Sequence, residues 1–267
     1  MAKLLEGKVA AITGGLTGIG RAIAIGFVRQ GAKVAVNHLG QPAEEKHQRC
    51  LCKEVGSENN QDDFPLYFYA GDISDPDVAE AFLASTAQHF GHLDIVIANA
   101  GVAQFHDFLS TPDTYIQQHL HVNVCGAYYT VRAAGRIMKE QNTGGSIIGI
   151  SSVSALTGSG ALVHYTPTKA AVLNLMQSSA VALGPFGIRC NALLPGTIKT
   201  RLNVDDLAQN DKQKQIEQRT CLKRVGLPDD IAGPAVFLAS DLSQYVTGAQ
   251  LLVGKFQISF LREDRLR

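Results

Sequence analysis

The chain lacks an excess of either charge: 24 lysines and arginines stand against 24 aspartates and glutamates across 267 residues. There is accordingly no global field to gather a polyanion, which argues against a nucleic-acid partner or an acidic membrane surface. It also lacks any run near the roughly 20 apolar residues needed to cross a bilayer, so no transmembrane helix is expected. The start, Met1 to Lys8, carries no signal-type apolar stretch, and a cytoplasmic protein is expected. Cysteines are few and scattered (Cys50, Cys52, Cys125, Cys190, Cys221), which fits free thiols in a reducing compartment. No metal-ligand cluster is visible among the eight histidines, since His119 and His121 would face different sides of a helix. Tryptophan, low-complexity linkers and fixed-period repeats are absent as well. What remains, 45% hydrophobic and 18% charged residues, is enough for one substantial core, so residues 1–267 are expected to form a single domain.

Short β-branched runs alternate with longer helix-compatible stretches. The runs are Val9 to Thr13, Lys33 to Asn37, Leu66 to Ala70, Ile95 to Ala98, Ser146 to Ile150, Ile188 to Leu194 and Gln250 to Val253. Near-continuous apolar strands separated by helices predict an α/β fold: a Rossmann-type, doubly wound parallel sheet of seven strands with helices on both faces. Arg21 to Gln30 is the first expected helix. Two polar stretches interrupt the pattern. Gly40 to Asp63 reads as a surface helix plus loop, and Asn203 to Arg219 as a mobile lid near a site.

Between the first strand and first helix lies Thr13-Gly14-Gly15-Leu16-Thr17-Gly18-Ile19-Gly20. Gly14 suits a tight turn, Gly18 close approach of backbone to a pyrophosphate, and Gly20 close packing of helix on strand. A dinucleotide cofactor is therefore expected on Gly14, Leu16, Thr17, Gly18, Ile19 and Gly20. An acid about 20 residues further on would bind the adenosine ribose of NAD. His38 occupies that place, with neither acid nor arginine beside it, so NAD and NADP both stay open. Asp72 and Ile73 are placed near the adenine, with a helix cap before Pro76 as the other reading of Asp72. Asn99, Ala100 and Gly101 close the fourth strand beside the loop, and Pro195, Gly196, Ile198 and Thr200 form a turn suited to the nicotinamide amide.

Tyr165 and Lys169 are four apart, so a helix opening at Thr166-Pro167-Thr168 would put both on one face. An ammonium beside a phenol lowers its pKa and allows it to act as a base toward an alcohol. Ser152 ends the fifth strand, where active sites of open sheets lie, and its hydroxyl suits a substrate oxygen. Asn123 lies inside an apolar helical stretch, where an amide would bend the helix or bind water.

In order and spacing these residues resemble the short-chain dehydrogenase/reductase family from Thr13 to about Val253. The resemblance implies Tyr165 as catalytic base and Lys169 as the group that holds the nicotinamide ribose and depresses the tyrosine pKa. It further implies Ser152 polarising the substrate oxygen and Asn123 holding a water in a proton relay. Within the family, Val36 to Leu39, Gly145 to Ser152, His164 to Lys169, Gly187 to Ala192 and Asp230 to Ala235 are similar to the fungal L-rhamnose 1-dehydrogenases. That likeness implies oxidation of ring-form L-rhamnose at C1 to a rhamnonolactone, with NAD favoured. It places Ala155, Leu156, His164 and Thr197 to Leu207 around the sugar, and a homotetramer or homodimer is implied. The alternatives are a 3-oxoacyl thioester or other carbonyl reductase, and a non-catalytic dinucleotide sensor. Residues 254–267 depart from the family pattern, which usually ends the last strand in Asp-Gly-Gly.

Overall fold

The structure is a computed structural model and describes residues 3–56, 64–209 and 211–254. Seven strands form one sheet: β1 (Val9–Ile12), β2 (Lys33–His38), β3 (Leu66–Ala70), β4 (Ile95–Ala98), β5 (Gly145–Ile150), β6 (Ile188–Pro195) and β7 (Gln250–Val253). Every pair is parallel, in the order β3-β2-β1-β4-β5-β6-β7. The helices are α1 (Gly18–Arg29), α2 (Glu44–Glu54), α3 (Pro76–Phe90), α4 (Asp113–His119), α5 (Gly126–Gln141), α6 (Thr166–Leu183), α7 (Val204–Leu207), α8 (Lys212–Arg219) and α9 (Asp229–Ala239). No helix among the described residues is long and apolar enough to cross a membrane.

Strand periodicity divides the core. Ala10 and Ile12 face one layer with Ile23 and Phe27 of α1 and Ile231 and Ala235 of α9. Their neighbour Ala11 faces the other, with Phe82 of α3, Met138 of α5 and Met176 of α6. Because both sheet faces are covered, the strands are apolar at successive positions, and β1 and β4 are buried throughout. From β1 the chain steps out to β2 and β3 and then returns to β4 on the other flank. That reversal opens a crevice at the carboxyl ends of β1 and β4, where open α/β sheets bind ligands.

Several boundaries move for local reasons. α1 begins at Gly18, three residues before the expected Arg21, because the glycine turn feeds directly into it. The stretch holding Asn123 is a π-helical turn, Leu120–Cys125, set between α4 and α5. Asp72 does not cap α3: Asp75 does, its side chain accepting from the Asp77 amide, with Pro76 opening the helix. Asp72 accepts from Ser74 N (2.9 Å) and Ser74 Oγ (2.7 Å), which closes a turn of its own. The expected surface helix is α2, while 57–63 lie outside the described residues, as do 255–267 of the unusual tail.

Gly20 has a packing role. A Cβ there would come within 2.5 Å of Asn99 Nδ2, 2.6 Å of Gly14 O and 3.0 Å of Gly15 Cα. Two of those neighbours are backbone and cannot swing aside. G20A is expected to lose about 1–3 kcal/mol of stability, read as a lowered urea midpoint with unchanged m.

Candidate active site

One cavity of about 820 Å³ runs along the carboxyl edge of the sheet. At one end it is bounded by His38, Leu39, Glu44, Asp72 and Ile73. Its middle is formed by Gly14, Leu16, Thr17, Gly18 and Ile19 facing Asn99, Ala100 and Gly101. The far end holds Ser152, Tyr165 and Lys169 with Pro195, Gly196, Ile198 and Thr200. Volume and shape suit a dinucleotide with a small substrate beyond it.

The middle has a backbone geometry compatible with an anion such as a pyrophosphate. Gly14 and Gly18 adopt φ of 61° and 56°, a backbone region that favours glycine. α1 has no side-chain cap and no acid in its first turn, so its leading amides and positive end are left for an anion. The turn itself is held from three sides. Asn99 Nδ2 donates to Thr13 O (2.8 Å) and Gly14 O (3.1 Å), and Thr13 Oγ1 accepts from the amides of Asn99 (2.9 Å) and Ala100 (3.0 Å). Buried Asn37 donates to Gly71 O at 2.9 Å and accepts from Gly14 N at 3.4 Å, which ties the turn to the end of β3. Asn37 and Thr13 went unassigned in the sequence reading; a buried amide in a parallel strand is the signal that marks Asn37.

At the far end, β5 and α6 bring three groups together. Lys169 Nζ donates to Ile150 O at 2.9 Å and lies 5.7 Å from the centre of the Tyr165 ring. Ser151 Oγ donates to Lys169 O at 2.7 Å, which fixes α6 against the strand end. Ser152 Oγ accepts from Ser154 N (3.1 Å) and Ser154 Oγ (2.7 Å), which leaves its own proton to turn toward Tyr165. Ser152 therefore both caps the short turn Val153–Ala155 and faces the tyrosine.

The electrostatics differ from the expectation of a depressed tyrosine. Burial pushes Tyr165 up to about 12, against the downward pull of Ser152, and pushes Lys169 down to about 8. The reason is geometric: the ammonium sits over the ring and is bonded to a backbone carbonyl, while both groups are dehydrated. Depression of the phenol pKa therefore needs further positive charge at this site.

Asn123 is buried and does not line the cavity. Both amide protons are committed, to Val102 O (3.0 Å) and Thr168 Oγ1 (3.0 Å), and Oδ1 accepts from Val102 N (2.8 Å). Its side chain joins the loop after β4 to α6; any water would have to use the second lone pair of Oδ1 or the main-chain carbonyl. Gly101 packs against this junction, since a Cβ would sit 3.1 Å from Asn123 Oδ1 and 3.4 Å from Lys169 Nζ.

Other expectations are corrected around the substrate end. Ala155, Leu156 and His164 do not line the cavity, and Leu156 turns to solvent. His164 is buried, bonded through Nε2 to Gln104 O at 2.8 Å, and packed edge-to-face on His119. Instead Phe105, Ser154, Thr157, Ser159 and Leu162 form that wall. The 203–219 stretch does reach the site through Asn203, Asp206, Leu207, Lys212 and Ile216. Lys212 pairs with Asp206 and lies 4.9 Å from the Phe105 ring centre, which connects the stretch to the loop after β4. Among the described residues no group of three or more metal-ligating side chains occurs.

Comparison with known proteins agrees with this architecture. Residues 14–255 match the family described as enoyl-(acyl carrier protein) reductase. The chain is 54% identical over 254 residues to an L-rhamnose-1-dehydrogenase of Scheffersomyces stipitis, covering 95% of this chain and 96% of that one. It is 49% identical over 253 residues to an L-rhamnose 1-dehydrogenase (NAD(P)(+)) of a Sphingomonas species, covering 94% and 96%. A crystal structure of a short-chain type dehydrogenase/reductase from Mycobacterium marinum superposes with a TM-score of 0.84 at 33% identity, covering 94% and 96%. Matched over nearly its whole length, the chain belongs to the short-chain dehydrogenase/reductase family.

Proposed function

We propose that the protein is an NAD(P)-dependent sugar dehydrogenase that oxidises ring-form L-rhamnose at C1 to L-rhamnonolactone. The observation that carries this reading is the Ser152–Tyr165–Lys169 cluster at one end of a cavity whose middle is an uncapped helix N-terminus. The names of the two similar enzymes support the choice of sugar. When bound, the oxidised nicotinamide supplies the hydride acceptor and a positive charge. In our reading Ser152 donates to the C1 oxygen and holds it against Tyr165, and Tyr165 takes the hydroxyl proton as the C1 hydride departs. Lys169 keeps positive charge beside the phenol and orients the ribose, while Asn123 acts as a positioning residue through Val102 and Thr168. The wall combines apolar groups (Phe105, Leu162, Ile216) with polar ones (Ser154, Ser159, Asp206), a composition suited to a 6-deoxy sugar that carries one methyl and several hydroxyls.

NAD is the preferred oxidant in this account, and the enzyme works in the cytoplasm as a homotetramer or homodimer. Five unpaired cysteines agree with a reducing compartment. The test is reduction of NAD or NADP by purified protein with L-rhamnose, alongside L-mannose, L-lyxose and D-glucose. L-Rhamnose is expected to react best, and L-mannose, which differs only by a hydroxyl on C6, more weakly. Activity on acyl thioesters with NADPH, and none on sugars, would favour the carbonyl-reductase reading. Cofactor binding with no turnover of any substrate would favour the sensor.

A further inference from the structure

The strand-end position that normally carries an acid holds His38. The structure supplies an acid there from elsewhere. After β2 the chain reverses through Gly40 (φ 82°) and Pro42, and the first turn of α2 folds back so that the Glu44 carboxylate lines the cavity beside His38 and Leu39. Its position is fixed by several bonds. Glu44 Oε2 accepts from Gln41 N at 2.9 Å and meets His38 Nδ1 at 3.2 Å, a nitrogen that the Gly40 amide also approaches at 3.0 Å, and His38 Nε2 meets Gln48 Nε2 at 2.8 Å from the next turn of α2. The side chain of Glu44 is only 20% exposed and that of His38 only 7%. Partial burial pushes the Glu44 carboxyl up, but the amides of Gln41 and Gly40 together with His38 outweigh it and hold the group below its ordinary value. A fixed carboxylate thus stands at the β2 edge of the cavity, where the sheet order puts the adenosine half of a dinucleotide.

We propose that Glu44 is the cofactor-discriminating residue: its carboxylate accepts from the adenosine ribose hydroxyls and repels a 2′-phosphate, so that α2 supplies what the end of β2 lacks. Histidine at position 38 then acts as the positioning residue that holds the carboxylate at the wall. Arg201 also lines the cavity and reaches α2, its Nη1 lying 3.5 Å from His47 Nε2, and it would set an opposing attraction for a phosphate. This rests on the dinucleotide reading of the cavity and is independent of which sugar is oxidised.

The test compares 5′-AMP with adenosine 2′,5′-bisphosphate by calorimetry, ligands that differ only in the 2′-phosphate. The unaltered protein is expected to bind 5′-AMP more tightly. E44Q should shift the ratio toward the bisphosphate by about tenfold, while E44D, which keeps the charge, stays near the original ratio. A second measurement needs no variant. Raising salt should improve the bisphosphate relative to 5′-AMP if Glu44 repulsion dominates, and worsen it if Arg201 attraction dominates. A ratio that moves less than about twofold in E44Q, or a salt response of the opposite sign, overturns the proposal. If the nucleotide ratio moves as expected but L-rhamnose is not oxidised, the sugar assignment alone fails.

Discussion

Replacing Tyr165 by phenylalanine is expected to lower kcat for L-rhamnose oxidation by about 10³-fold while dinucleotide affinity stays within about twofold. The phenyl ring retains the packing against His119 and beneath Lys169, so the change removes one hydroxyl from an otherwise unaltered wall. What is lost is the proton acceptor. With the phenol raised to about 12 by burial, the free protein holds Tyr165 protonated at neutral pH. Oxidation must therefore quicken as pH rises, by up to tenfold per unit on the acid side, while the reverse reduction, which uses the protonated phenol, stays level there. Lys169, depressed to about 8, loses its charge above that point and bends the profile over on the alkaline side. Y165F should show a low residual rate without that rise, and stopped-flow or steady-state rates between about pH 6 and 10 read it directly. Full turnover in Y165F would remove the base from the account.

The second large effect is a separation of activity from stability at Lys169. K169M is expected to lose about two orders of magnitude or more in kcat/KM, because the charge beside the phenol and the proposed donor to the ribose would disappear together. Stability at pH 7 should fall little, or rise. Lowering a buried lysine from 10.5 to about 8 corresponds to a penalty on the order of 3 kcal/mol for keeping it charged at neutral pH. Against this stands the bond to Ile150 O, whose loss costs about 1–3 kcal/mol. The sign with pH follows from proton counting. Between about 8 and 10.5 the unfolded chain binds more protons at this residue than the folded one, so the unaltered protein gains stability as pH rises through that window. K169M lacks the gain. Urea unfolding at pH 7 and pH 10 should therefore show the unaltered protein improving relative to the variant. Equal pH dependence in both would mean that the ammonium is not buried as described.

The parallel sheet was legible because a strand covered on both faces carries apolar residues at every position, as β1 and β4 do. The glycine turn and the Tyr165–Lys169 pair were legible because their chemistry is local: a turn of five residues and one helical repeat. Four features were hidden for a common reason, namely that they depend on where a side chain is sent after the backbone is placed. Six apolar-patterned residues do not distinguish a π turn from an α one, so the committed amide of Asn123 was not foreseen. Likewise, His164 directly precedes Tyr165, yet it turns away from the cavity to bond Gln104 O. Glu44 lies six residues beyond the strand end and reaches it only through the reversal at Gly40, which a rule about the strand-end residue does not capture. Asp72 and Asp75 both stand before a helix that begins at Pro76, and only the contact with Asp77 N separates the cap from the cavity residue.

The central claim is that hydrogen leaves C1 of L-rhamnose as hydride on this scaffold. Supplying L-rhamnose with deuterium at C1 tests it most directly, by mass spectrometry of the nicotinamide product and NMR of the sugar product. The account predicts one deuterium in the reduced nicotinamide for each L-rhamnonolactone formed, and a slowed rate where the transfer limits turnover. Reduced nicotinamide carrying no deuterium, or no L-rhamnose-dependent reduction at all, would contradict it.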